Sequence, residues 1–408
     1  PKGLSMSSPA PIDRFMQNIL QRFLRVKADE VWVLAWSFSY FFSLLCSYYI
    51  IRPMRDEMGI AGGVEHLQWL FSGTFAVMLA AVPLFGWVSS RFARRRFLPY
   101  VYYFFMFNLL VFYLLFRSDL THAWVARAFF IWVSVFNLFV VSVFWSFMAD
   151  LFSNEQAKRL FGFIAAGGSV GALAGPVLTT VLAIPLGTNN LLLVSICFLL
   201  WAVFCIDRLT RRCEQRQDDE SAGTTPSRKV EQAMGGGLFA GIRLVLRSPY
   251  LLGICLLMLL FTTLATFLYF QQAQIIRDHF SDPAQRTTVF AAMDLSVNTL
   301  TILIQLFLTG RLVAWLGLPL TLSLIPLLLA AGVALLGYAP VLWVLVVVQV
   351  IRRAGNYAIM RPAREMLYVV LGREEKYKAK NFIDTAVYRA GDAASAWLYA
   401  GLRAMGLS

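Results

Sequence analysis

Residues 347–365 read VVQVIRRAGNYAIMRPARE, placing the adjacent pair Arg352 and Arg353 about twelve residues into an apolar run that begins near Pro340. A charged side chain at mid-bilayer depth costs about 3 kcal/mol or more, so such residues pair with an opposite charge or line a wet cavity. The same stretch carries Gln349, Asn356 and Tyr357, with Gln349 and Arg353, and Arg352 and Asn356, each four apart. A second apolar stretch holds Asp294, Asn298 and Gln305 at spacings that put all three on one helical face. A third holds Asp384, Tyr388 and Asp392 at successive steps of four, with Arg389 beside them. Three such stripes on apolar helices imply a shared polar interior.

Two chemistries fit these residues. In one, the carboxylates of Asp294, Asp384 and Asp392 pair internally with the guanidiniums of Arg352, Arg353 and Arg389 and act as structural locks or gates. In the other, one or more arginines stay available for an anionic solute, because a guanidinium holds phosphate or carboxylate through two parallel hydrogen bonds. Arg52, Arg55, Arg361 and Arg364, at the ends of apolar stretches, add positive field. Arg52 and Arg55 also fit a plain role as interfacial anchors.

The elements that must position these residues follow from composition. The chain has 408 residues, 59% hydrophobic and 14% charged, against about 25% charged in ordinary soluble domains. It reads as a polytopic membrane protein. About eleven stretches can span a hydrocarbon core, near 31–53, 67–90, 97–117, 124–150, 160–185, 189–207, 250–272, 287–309, 317–337, 340–364 and 381–405. The net charge of +13 sits in short loops between them, a pattern of membrane sidedness that offers no basic soluble domain for nucleic acid. The basic N-terminus, RFARRR (91–96), Lys158 with Arg159, the central linker and REEKYKAK (373–380) then share one side. A cytoplasmic N-terminus is expected.

Residues 1–30 include IDRFMQNILQRFLRVK, amphipathic as a helix, which suits an interfacial helix or one packed on the loops. The first apolar run of spanning length begins near Val31 with no small-residue cleavage site after it, so a cleavable signal peptide is not expected. The cysteines show no C-x-x-C spacing and read as buried thiols. In FGFIAAGGSVGALAGP (161–176), Gly167, Gly168, Gly171 and Gly175 read as a helix-packing stripe; a phosphate-cradling loop lacks its strand and its G-K-[ST] ending. The aromatic runs YVYYFF and FSYFF are expected to face lipid or the interface.

Six stretches form one half, 31–207, and five another, 238–408, joined by a polar, Gly- and Ser-rich segment, 208–237, that reads as a cytoplasmic linker. FWSFMADLFSNEQAKRLFGFIAAGGSVGALAG and NYAIMRPAREMLYVVLGREEKYKAKNFIDTAVYRAGDAASAW repeat one plan: aromatic pair, helix exit, charged loop, re-entry helix. An all-α, six-plus-six, major-facilitator-like architecture follows, with solute near mid-depth between the halves and a twelfth helix expected beyond this chain. GWVSSRFARR (86–95) resembles the basic loop of major-facilitator transporters.

Four motifs carry a closer likeness. IIRPMRDEMG, through Arg52, Arg55 and Asp56, resembles the L-L-R-x-x-K-D motif of the bacterial and plastid ATP:ADP antiporters. FWSFMADLFSNEQAKRLFGF, through Glu155, Ala157, Lys158 and Arg159, resembles their F-W-x-F-A-N segment with E-A-K-R-F. NYAIMRPAREMLYVVL, through Tyr357, Pro362, Arg364, Glu365, Met366 and Tyr368, resembles K-Y-x-x-x-x-P-x-K-E-M-A-Y-x-x-L. KYKAKNFIDTAVYRAGDAAS, through Lys376, Lys378, Lys380, Asp384, Arg389 and Gly391, resembles K-x-K-G-K-x-x-I-D with R-x-G-K-S-G. Asp392 stands where that family has Lys, Asn356 replaces another Lys, and LATFLYFQQAQ offers glutamines where the family has an acid.

The resemblance implies a secondary transporter of the inner membrane that exchanges ATP and ADP by alternating access. Arg52, Arg55, Arg352, Arg353, Asn356 and Arg389 become the expected solute contacts. Asp56, Lys158, Asp294, Glu365, Asp384 and Asp392 become the expected gating or proton-coupling groups. Rival readings are a transporter of another organic anion, siderophore or lipid-like anion, and a non-transporting scaffold or sensor, which requires Arg352 and Arg353 both paired and no central cavity. No nucleophile, base or metal-ligand spacing points to an enzyme, and no cofactor or metal is expected. The expected partners are a small anionic solute and the bilayer, with the protein a monomer.

Overall fold

The computed structural model describes residues 30–91, 94–118, 122–220, 244–339, 341–368, 371, 379–380 and 382–406, and their side chains except at 82, 84–91, 94–97, 122, 154, 158, 213–220 and 385. The amphipathic segment before Glu30, the linker beyond Glu220, most of the loop 373–380 and the side chains of the basic loop around 86–95 lie outside the described residues.

In lipid every backbone donor and acceptor must be satisfied within the chain, which drives apolar runs of this length into helices. Six long helices make the first half: α1 (Val31–Ala61), α2 (Leu67–Arg91), α3 (Arg94–Arg117), α4 (His122–Leu151), α5 (Asn154–Leu186) and α6 (Leu191–Glu220). Five make the second: α7 (Pro249–His279), α8 (Pro283–Phe307), α9 (Thr309–Tyr338), α10 (Leu342–Leu367) and α11 (Tyr388–Ala404). Their order follows the eleven apolar stretches. Among the described residues there is no strand, and nine helices are long and apolar enough to cross a membrane. Helix α6 continues to Glu220, past the start of the expected linker.

Local signals set the helix starts. Ser153 and Gln156 form a reciprocal capping box at α5, with Gln156 N donating to Ser153 Oγ at 3.3 Å and Ser153 N to Gln156 Oε1 at 3.1 Å. Ser248 and Asp282 cap α7 and α8, each followed by a proline that needs no intrahelical donor. Two departures from regular helix lie in the second half. A π-helical turn, Asn356–Met360, interrupts α10, and another, Ile383–Val387, leads into α11.

Helix α1 is the hub of the first half. The glycine stripe of α5 lies against it: a Cβ at Gly167 would sit 2.5 Å from the Phe38 carbonyl oxygen, and one at Gly175 2.9 Å from that of Cys46. Close approach of two backbones is the role expected of these residues. Pro53 has no N–H to give to the Tyr49 carbonyl, so α1 loses a rung of its hydrogen-bond ladder one residue past Arg52.

The first half is one aromatic body. Phe41 stacks on Phe144 at 4.2 Å between centroids, and the Tyr40 and Tyr102 hydroxyls meet at 2.5 Å. The expectation for the FSYFF run therefore needs correction, because Tyr40 and Phe41 are core residues. In YVYYFF the helical period divides the residues: Tyr100, Tyr103 and Phe104 are exposed, as on a lipid-facing side, while Tyr102 and Phe105 are buried. The second half has smaller separate clusters, one joining α7, α9 and α10 and one joining α7 to Tyr368 and Ile383.

A further cluster belongs to both halves. Ile60, Val64, Leu67, Leu70 and Phe130 pack with Phe270, Ile276, Phe290, Met293 and Tyr399 where α1 ends and α7 turns into α8. We call this the distal end of the bundle, and the end where α1 begins the proximal end.

Candidate functional site

Between the halves lies a cavity of about 390 Å³. Tyr48, Tyr49 and Arg52 of α1 form one wall, and Gly168 and Ala172 of α5 continue it. Asn298 and Gln305 of α8, with Tyr357 and Arg361 of α10, form the opposite wall. The Asn298 amide reaches across to the Ala172 carbonyl at 2.6 Å, and the Gln305 amide donates to the Tyr357 carbonyl at 3.3 Å. Gln305 and Arg361, on the proximal side, are exposed. The wall thus combines aromatic faces, amides and two guanidiniums, a donor-rich surface suited to a solute with an anionic group.

On the distal side of the cavity sits the strongest charge cluster. Asp294, 1% exposed, accepts from Arg52 Nη1 and, at 2.5 Å, from Arg353 Nη2. One oxygen takes both; its other oxygen, buried, has no hydrogen-bond partner. Because Arg52 comes from α1 while Asp294 and Arg353 come from α8 and α10, the bridge ties the two halves.

The other expected residues separate into groups. Arg352 has no carboxylate within 4.0 Å among the described residues; its Nε donates to Gln349 Oε1 at 2.9 Å, and the Gln349 amide donates to the Leu268 carbonyl at 2.9 Å. The pairing is with the residue three before it, not the four-apart pairs the spacing suggests. Arg55 lies over the Phe130 ring at 4.1 Å and 3.3 Å from Asp56, which also accepts from the Tyr269 hydroxyl at 3.0 Å. Asn356 opens the π-helical turn of α10, half-buried.

Asp384 pairs with Arg364 at 3.1 Å, Glu365 with Lys380 at 2.5 Å, and Asp392 with Arg389 at 3.7 Å. The expected internal pairing therefore holds for Arg353 and Asp294 and for Arg389 and Asp392, but Asp384 takes Arg364. Arg361, Arg364, Glu365, Asp384, Tyr388 and Arg389 line a second cavity of about 310 Å³ between α10 and α11, so Arg389, Asp384 and Glu365 stand apart from the central one. The Lys158 side chain lies outside the described residues.

Sequence reasoning missed Tyr48, Tyr49 and the pair of Glu57 with Arg286. The tyrosines were findable, since they precede Arg52 by four and three residues and share its helical face. The pair had no local signal: Glu57, wholly buried, meets Arg286 at 2.7 Å across 229 residues of chain. Arg286 also donates to the Phe280 and Ser281 carbonyls at 3.2 Å each. With Trp397 donating to Ser72 at 2.9 Å and Phe71 against Tyr269 and Phe270, this closes the distal end of the cavity.

Comparison with known proteins agrees with this fold. The chain is 22% identical to ADP,ATP carrier protein 1 of Chlamydia muridarum (strain MoPn / Nigg) over 430 residues, covering 90% of this chain and 80% of the relative. It is also 22% identical to ADP,ATP carrier protein 1 of Chlamydia trachomatis serovar D over 314 residues, 68% of this chain and 59% of that one. Among solved structures, a POT family transporter in complex with a thioalcohol-conjugated peptide matches with a TM-score of 0.60 at 12% identity, over 92% of this chain and 91% of that one. A bacterial homologue of the human lysosomal transporter Spinster matches at 0.58 and 16% identity, over 94% and 86%. A bacterial homologue of the iron transporter ferroportin matches at 0.57 and 12%, over 96% and 92%. These structural likenesses speak to the fold. Residues 31–369 match the Major Facilitator Superfamily, and the chain belongs to it: a multi-pass membrane transporter for a small solute, not an enzyme.

Proposed function

We propose that the protein is a secondary transporter of an anionic, phosphorylated or nucleotide-like solute, working by alternating access in a bacterial inner membrane with its N-terminus cytoplasmic. The observation that carries this reading is the central cavity, with Arg52 and Arg361 on facing walls among Tyr48, Tyr49 and Tyr357. Guanidiniums take an oxyanion through paired donors, and tyrosine faces accept a flat ring. Arg353 and Arg352 do not line the cavity; the first is held by Asp294 and the second has no carboxylate within 4.0 Å among the described residues, which supports positive charge kept in reserve for a solute.

A scaffold or sensor requires both arginines paired and a closed seam, and the cavity and Arg352 weigh against it. In our reading the solute competes with Asp294 for Arg52, which loosens the bridge between the halves and readies the distal seal to part. ATP:ADP exchange is the most concrete form, in keeping with the Chlamydia relatives. Proteoliposomes loaded with unlabelled ADP should accumulate labelled ATP in a saturable, counterflow-dependent manner. Uptake indifferent to internal ADP would remove nucleotide exchange and leave other organic anions to be screened.

A further inference from the structure

We propose that the cavity between α10 and α11 is a second anion site, taking a compact tetrahedral oxyanion of the phosphate type. Three guanidiniums, Arg361, Arg364 and Arg389, line it together with the Tyr388 hydroxyl. Of the described carboxylates that line it, Glu365 is engaged by Lys380 at 2.5 Å and Asp384 pairs with Arg364 at 3.1 Å, so neither is spent on Arg361 or Arg389. Arg361 has no carboxylate within 4.0 Å among the described residues and lies over the Tyr357 ring at 5.0 Å. Arg389 reaches Asp392 only at 3.7 Å.

One buried donor here, Nε of Arg364, has no hydrogen-bond partner, while its Nη2 lies 3.1 Å from Asp384 Oδ1 in an ion pair. The remaining contact of Arg364 runs to the Met258 sulfur at 2.6 Å, a weak acceptor for a strong donor. Leaving a buried polar group unpaired is costly, and an oxyanion in the cavity relieves the donor. The backbone points the same way. The π-helical turns Asn356–Met360 and Ile383–Val387 form the approach to both walls: Arg361 follows the first, Asp384 lies in the second, and Tyr388 and Arg389 follow it. Such turns re-aim side chains and recur at functional sites.

Arg361 lines both cavities, so an ion held here stands beside whatever occupies the central one. The phosphate group can come from free inorganic phosphate or from a lipid headgroup, and the site does not require the transported solute to be a nucleotide.

The test is isothermal titration of the full chain with inorganic phosphate in zwitterionic lipid nanodiscs. Saturable binding is expected, weakened roughly tenfold or more by Arg361→Gln and by Arg389→Gln, since each removes a charged hydrogen-bond donor. Arg52→Gln, in the central cavity, is expected to change it less than about twofold, because Arg52 does not line this cavity. Loss of phosphate binding in phosphatidylglycerol nanodiscs would mark a lipid headgroup as the occupant, and retention there would mark the free ion; either leaves the site standing. Absence of saturable binding, or binding lost in Arg52→Gln yet kept in both other variants, overturns the proposal. A protein that binds phosphate here but exchanges no nucleotide loses only the nucleotide reading.

Discussion

The two ends of the seam between the halves are built from different chemistry. At the distal end Glu57 pairs with Arg286, Asp56 accepts from Tyr269, and an apolar cluster packs around them, although Glu57 Oε2 and Arg286 Nε lack hydrogen-bond partners. Toward the proximal end two cavities open, each lined by guanidiniums, and Arg361 serves both. A seam built for stability alone would neutralise its charges at both ends, because uncompensated buried charge destabilises. The asymmetry means that the distal end is held by contacts made within the protein, whereas the proximal end keeps Arg361 exposed and without a carboxylate among the described residues, a donor open to a solute.

The contrast can be broken at its junction first. Asp294→Ala leaves Arg52 and Arg353, both largely buried, without their shared carboxylate, and a loss of about 3–5 kcal/mol is expected. Thermal unfolding in detergent measures it; a loss below about 1 kcal/mol would show water already screening the cluster. Next, Glu57→Gln should cost about 3 kcal/mol and also unlatch the distal end. With Cys197 and Cys213 replaced, a cysteine placed at buried Val64 should then react with a membrane-impermeant maleimide roughly tenfold faster for each 1.4 kcal/mol of seal lost. Unchanged labelling would mean that the aromatic cluster seals without the ion pair.

A smaller effect should come from the static side of the molecule. Gly171→Val pushes new carbons toward the Phe42 carbonyl of α1 and should cost about 1–3 kcal/mol by overpacking. It should leave the Val64 labelling rate alone, and a faster rate would place the α1–α5 contact within the moving part. The smallest change in stability belongs to Arg361→Gln, exposed and without a carboxylate partner among the described residues: within about 0.5 kcal/mol. Its solute uptake should fall all the same, and normal uptake would remove Arg361 from the proximal donor set.

Much of the architecture is legible from composition, since eleven apolar stretches become eleven helices in order and the α5 glycines pack as their spacing implies. Reading the site by a period of 3.6 succeeds where the helix is regular. Asp294, Asn298 and Gln305 do share a face, spread from the charge cluster along the cavity. It fails across the π-helical turns, where wider turns rotate everything downstream. Asp384 and Asp392, eight residues apart in sequence, consequently face different partners, Arg364 and Arg389. Long-range pairs such as Arg52 with Asp294 and Glu57 with Arg286 join residues more than two hundred positions apart, and no local pattern encodes them.

Pro53 gives the α1 helix two mechanical regimes. The portion before it is clamped to the α5 glycines and the tyrosine core; the portion after it, Met54 to Ala61, carries the distal latch. With a missing rung between them, the outer segment can swing as a short arm on a soft joint while the long inner rod stays seated. Parting the seal then demands the bending of two helical turns, not the repacking of a whole half.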